Sequence, residues 1–139
     1  MKEITFTAYG IPQPKGSTKS FPFRKKDGKL GVSTTSTNKA KLTTWAEQVM
    51  AAAREHIPET LFDGPVGIRV EFVLVKPKSV KRKTPTVKPD IDKLARGLLD
   101  SLKGVIYTED ARVVLLMATK VYGEPAGARI TVYDMTEVV

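Results

Sequence analysis

Asp90 and Asp92 stand one residue apart in "KPDIDKLARGLLDSL", residues 88–102, directly after Pro89. Farther on, "YTED" at 107–110 offers Glu109 and Asp110. Carboxylates hold hard divalent cations and also serve as general acids and bases. The chain has no cysteine and one histidine, His56, so thiolate ligation and histidine clusters are excluded. A metal site here would be built from oxygen donors, which suit Mg²⁺ or Mn²⁺ rather than structural zinc. Carboxylates drawn together repel, and one takes up a proton unless a cation neutralises them. Mg²⁺ can do so, orient and ionise a water, and stabilise the charge on a phosphodiester in its transition state. Arg96 is the nearest cation by spacing that could support the same charge, with Lys93 close by.

Each acid also has a purely structural reading. Aspartate in a first helical turn caps free N–H groups and complements the helix dipole. Asp92 with Arg96 is an ordinary i,i+4 pair. "TED" reads as a polar turn. On residue types alone both readings stand. Bringing Asp110 to Asp90 and Asp92 requires a particular return of the chain, or completion across a dimer.

The elements that must position these residues follow from periodicity. Residues 3–9 alternate as a strand, with Ile4, Phe6 and Ala8 on one face. Residues 11–37 form a long basic loop, with a hairpin around "KKDGK" because Asp27-Gly28 is a good turn pair. A helix spans about 38–56, and its stripe of Leu42, Trp45, Ala46, Val49, Met50 and Ala53 faces the core. A strand follows at 66–75, then a second loop at 76–89 that carries cations and no acid. The helix at 90–102 presents Ile91, Leu94, Ala95, Leu98 and Leu102 on one face. Asp100 falls opposite, exposed near Arg96 and Lys103, a poor place for a metal ligand. Strands at 111–121 and 128–134 complete the order β–α–β–α–β–β. The fold class expected is α+β, one small mixed sheet packed against two helices, with the strand order left open.

Length suits one domain, residues 1–139. Twenty-three Lys and Arg against fifteen Asp and Glu give a net charge of +8. A basic domain of this size suits a polyanion, nucleic acid first. Lys15 and Lys19 in the first loop, and Lys76, Lys78, Lys81, Arg82, Lys83 and Lys88 in the second, are the candidate phosphate contacts. No apolar run approaches a membrane span and nothing resembles a signal peptide, so an intracellular location is expected.

"KPDIDKLARGLLDSLKGVIYTEDARVV", followed by "TKVYG", resembles the RusA family of Holliday junction resolvases of bacteria and prophages. The family pattern is roughly Asp-x-Asp-Asn-Leu-x-Lys, a helical Asp, Asp-Asp-x-Gln-Val, and a strand ending in Lys. The opening "GIPQPKGS" is similar too. The resemblance implies metal-binding aspartates at Asp90, Asp92 and Asp110 and a catalytic cation at Arg96. It implies Mg²⁺ or Mn²⁺, a homodimer, four-way DNA junctions as substrate, paired symmetric nicks, and a place in the bacterial cytoplasm at the nucleoid. Lys120 matches the strand lysine and is expected to face the site or the DNA. The chain departs from the pattern at Lys93, Arg96, Glu109 and Arg112. Arg96 keeps the charge but donates no proton near neutral pH, so its role is electrostatic or Lys93 takes part of it. The competing expectations are a non-catalytic basic DNA-binding protein and a nuclease of the same chemistry acting on other DNA.

Overall fold

The computed structural model describes residues 2–16, 18–36 and 39–138, with the side chains of 18–21, 23 and 32–36 left out. The order is β1 (Lys2–Tyr9), β2 (Thr18–Arg24), β3 (Leu30–Ser36), α1 (Lys39–Arg54), β4 (Val66–Leu74), α2 (Ile91–Leu102), β5 (Val113–Tyr122) and β6 (Gly127–Asp134). A 3₁₀ turn at Asp110–Arg112 leads into β5. The architecture is α+β. β1, β6, β4 and β5 form a mixed sheet in that order, and β2 and β3 form a separate hairpin.

The hairpin adds two strands to the expected order, and its turn falls where the Asp27-Gly28 pair places it. Lys25 N–H donates to Lys29 O at 2.8 Å, and Asp27 Oδ1 accepts from Lys29 N–H at 2.9 Å. Gly28 takes φ +83°, which costs glycine little.

Two-residue periodicity decides what the sheet buries. Phe6 and Ala8 of β1, Ile68, Val70 and Phe72 of β4, and Ala128, Ile130 and Val132 of β6 are buried. Trp45, Val49 and Ala53 of α1 and Leu94, Leu98 and Leu102 of α2 join the same core. Trp45 is therefore a packing residue. The other face of the sheet is polar along β1, β6 and much of β4, where Arg129 pairs with Glu71 at 2.7 Å and the Thr5 and Thr131 hydroxyls lie 3.1 Å apart. It is apolar at Leu115 and Met117 of β5.

Two placements position the site. First, α2 crosses between the parallel strands β4 and β5. It must run back against them, so the C-terminal end of β5 returns beside the start of α2 and the start of β5 lies beside its later turns. Second, the segment after β1 lies across α2. Lys15 N–H donates to Lys93 O at 2.9 Å, and a Cβ on Gly97 would stand 3.3 Å from Gln13 O. A methyl at 97 would require the segment to give by a few tenths of an ångström.

One expectation is corrected. Ile91 is 37% exposed rather than part of the buried stripe. As the first helical residue its side chain tilts back past the N-terminus, beyond the sheet.

Candidate active site

Asp90 occupies the N-cap of α2 with extended backbone angles, φ −70° and ψ 138°, yet its side chain makes no capping hydrogen bond. Its carboxylate faces Lys93 Nζ at 3.4 Å. Asp92, in the first turn, makes no hydrogen bond or ion pair among the described residues, and neither does Arg96. The structural readings of these aspartates, a capping bond and an i,i+4 pair, are thus not realised.

Asp92, Arg96 and Asp100 follow one another at four-residue intervals, so they form a stripe along one edge of α2. Asp110 faces that stripe from the 3₁₀ turn and Leu116 from β5, enclosing an open cleft of about 370 Å³. Asp92, Arg96 and Asp110 therefore line one cleft. Asp90 lies around the corner, lining a neighbouring cleft with Lys88 and Lys120. Among the described residues no three acidic or histidine side chains stand close enough to hold a metal together. The crossover is the reason. It brings Asp110 beside Leu99, roughly 10 Å along the helix axis from Asp92 at 1.5 Å rise per residue.

One further residue lines the cleft and another supports it. Asp100 lines it, exposed and near Arg96 as expected, and its ion pair is with Lys15 rather than Lys103. Tyr107 is fully buried, and its hydroxyl is shared between Leu99 O at 3.0 Å and Asp110 Oδ1 at 3.2 Å. It ties the 3₁₀ turn to α2 and fixes Asp110. Burial, then the charge of Asp110 and the bond to it, push the Tyr107 phenol far above its ordinary range. It remains a donor at every physiological pH.

Two of the unusual residues hold the scaffold rather than the cleft. Arg112 lies 3.2 Å from Asp63 and 3.6 Å from Glu109, and the Thr108 hydroxyl donates to Asp63 at 2.8 Å. This cluster pins the turn before β5 to the segment after α1. Glu109 and Arg112 therefore complement one another.

The cations surround the start of α2. Lys120 Nζ donates to Val87 O at 2.9 Å and Pro89 O at 3.0 Å, so it fastens the end of the 76–89 loop, just before Asp90, to β5. Arg82 Nε donates to the Tyr122 hydroxyl at 2.8 Å, and both Arg82 and Lys76 stand about 6 Å over its ring. Lys78, Lys81, Lys83 and Lys88 are exposed and without ion pairs among the described residues. The Lys15 charge is shared with Asp100. Lys19 lies on β2, and its side chain is outside those described.

The donor set of the cleft is oxygen only, with three carboxylates, Asp92 and Asp100 from α2 and Asp110 from the 3₁₀ turn, and the Arg96 guanidinium among them. Mg²⁺ commonly binds through one or two protein carboxylates and fills its remaining positions with water, so Asp92 and Asp110 fit that ion chemically. Such a set, on a basic α+β scaffold, suits phosphodiester chemistry. The family profile described as Endodeoxyribonuclease RusA matches residues 13–133. An uncharacterized protein of Bacillus subtilis (strain 168), YqaN, is 31% identical over 149 residues, covering 96% of this chain and 97% of its own. The chain belongs to the RusA family of endodeoxyribonucleases. Membership implies nuclease activity of the Holliday junction resolvase type on branched DNA. No helix among the described residues is long and apolar enough to cross a membrane.

Proposed function

We propose that the chain acts as one nuclease domain that resolves Holliday junctions by paired symmetric nicks in a reaction dependent on Mg²⁺ or Mn²⁺. The observation that carries this reading is that Asp92, Arg96 and Asp110 line one cleft, in a chain with cation-rich loops. Asp92 and Asp110 are the principal metal-holding carboxylates. Asp90, with its charge met by Lys93, lines the neighbouring cleft and would join them as the third only if the start of α2 moved toward Asp110. A divalent ion held there would acidify and orient a water and offset charge on the scissile phosphate.

The remaining work falls to this chain's own residues. Arg96 places a permanent positive charge where the phosphodiester gains negative charge. Lys93 is engaged by Asp90, which makes Arg96 the better candidate for that role. Tyr107 holds Asp110 in register, and Lys15 limits the repulsion that Asp100 adds to the cleft. Lys78, Lys81, Lys83 and Lys88 hold the phosphates of junction arms, with the reaction taking place at the bacterial nucleoid.

A homodimer suits this reaction, since a two-fold junction presents equivalent strands to equivalent sites. β5 is an edge strand, and its successive residues Val114, Leu115, Leu116 and Met117 are 40–60% exposed. An unpaired apolar edge invites pairing with another chain. Leu116 belongs to both this edge and the cleft, so a partner docked on β5 would lie beside the reacting phosphate.

The test is a nicking assay on four-way, three-way and linear DNA, with and without Mg²⁺, with products mapped on every strand. The proposal expects Mg²⁺-dependent paired nicks in opposing strands of the four-way junction. Equal cutting of all three substrates would place the activity on DNA in general. Binding without Mg²⁺-dependent cutting would make the chain a non-catalytic DNA-binding protein.

A further inference from the structure

Beside Asp90, but apart from the Asp92–Asp110 cleft, lies an apolar cleft of about 330 Å³ between the segment after β1 and the 76–89 loop. Its walls include four of the chain's nine prolines, Pro12, Pro77, Pro85 and Pro89. Proline lacks an N–H and has a fixed φ, so these walls are stiff and offer few donors to hold water. Ile11, Val75 and Val87 line the cleft and are exposed. Singly exposed apolar residues are ordinary, but three converging on one concavity are not. Tyr122 contributes an aromatic wall that Arg82 holds through its hydroxyl. Lys120 fastens the loop at Val87 O and Pro89 O, so the cleft is formed before any ligand arrives.

The mouth decides what fits. Arg82 and Lys88 line it, and residues 75–89 contain six cations and no acid. A hydrocarbon ligand would leave that charge unused, and an acidic peptide would leave the apolar walls unused. A nucleotide uses both, through a flat base for the walls and a phosphate for the rim. An intact duplex cannot supply the base, because its faces are stacked and its edges paired. A branch point can, because bases there unstack at less cost.

We propose that this cleft receives one unpaired nucleobase at the branch point of the DNA, with its phosphate at the Lys88–Arg82 rim. The inference rests on the branched-DNA reading and deepens it. The base cleft supplies discrimination of branched from linear DNA, and the acidic cleft supplies cutting.

The experiment uses the full chain with four-way junctions carrying 2-aminopurine at each branch-adjacent position in turn, with Ca²⁺ in place of Mg²⁺ to suppress cutting. One position should change its fluorescence on binding, and the same strand in a linear duplex should not. Val87→Trp, which fills the cleft from an exposed position, should abolish that signal. It should weaken junction binding about tenfold, the scale of one base stacked on an aromatic side chain, while leaving linear-duplex binding unchanged. Tyr122→Ala should do the same by removing the wall, with circular dichroism confirming the fold. Unchanged signal and affinity in both variants, or equal losses on junction and duplex, would overturn the base cleft while the nuclease reading stood. A Val87→Trp chain that bound junctions normally but changed its mass in solution would assign the cleft to a second copy and overturn it as well. Wild-type chain that bound no DNA would overturn the nuclease reading and this inference together.

Discussion

At the scale of single residues the cleft is a balance of charge. Asp92, Asp100 and Asp110 face Arg96, with Lys15 paired to Asp100. Arg96→Ala should lower single-turnover nicking by about a hundredfold, the usual scale for losing one preorganised charge at a transition state. Junction affinity should hold. Arg96→Lys should recover part of the rate, whereas a wild-type rate in Arg96→Ala would remove the residue from the chemistry. Tyr107→Phe tests the support under Asp110. The folded chain keeps the phenol proton at a pH where an unfolded tyrosine loses it. Its contribution to stability is therefore complete below about pH 10 and is lost as pH rises above that. Melts at about pH 8 and about pH 10.5 should show a smaller alkaline loss in Tyr107→Phe than in wild type, and equal losses would contradict this. The types and spacing of Asp90, Asp92, Asp110 and Arg96 were legible in the sequence. The place of Asp100 in the cleft, and the support of Tyr107 and Lys15 around it, were not, because they depend on the 13–15 segment crossing α2 and on where the crossover sets down the 3₁₀ turn. The adjacency of Tyr107 to the "TED" acids was the one available hint.

At the scale of elements, local patterns were readable and long-range pairing was not. Alternation located β1, β4, β5 and β6 to within two residues, helical spacing located α1 and α2, and Asp27-Gly28 located the hairpin turn. Nothing local states that β6 sits between β1 and β4, or that β4 and β5 are parallel. That arrangement places Asp110 in the Asp92 cleft and leaves Asp90 around the corner. It also brings Lys120 to the residues before α2, where it fastens the 76–89 loop to β5. Lys120→Met should release the loop at a stability cost of about 1–2 kcal/mol, for hydrogen bonds from a charged, half-exposed group. Limited proteolysis should then cut within residues 76–89, and junction binding should weaken. Unchanged protease resistance would show that Arg82–Tyr122 and the buried Pro85 hold the loop without it.

At the scale of the whole molecule the net charge of +8 and the apolar β5 edge have separate consequences. Junction binding should weaken with salt, each phosphate contact adding about 0.9 to the logarithmic slope. Met117→Lys places a charge on the edge in the way natural sheets block pairing. Sedimentation should show a dimer becoming a monomer, and paired nicks becoming independent single ones. A wild-type chain that sediments as a monomer while making paired nicks would remove β5 from the account. The central claim is that the cleft of Asp92, Arg96 and Asp110 cuts DNA. It is tested most directly by comparing wild type, Asp92→Asn, Asp110→Asn and Asp90→Asn on a four-way junction in Mg²⁺, with binding measured alongside. The account predicts that nicking is lost in the Asp92 and Asp110 variants, and reduced in the Asp90 variant, while all bind the junction as wild type does. Nicking at the wild-type rate by Asp92→Asn or Asp110→Asn would contradict it.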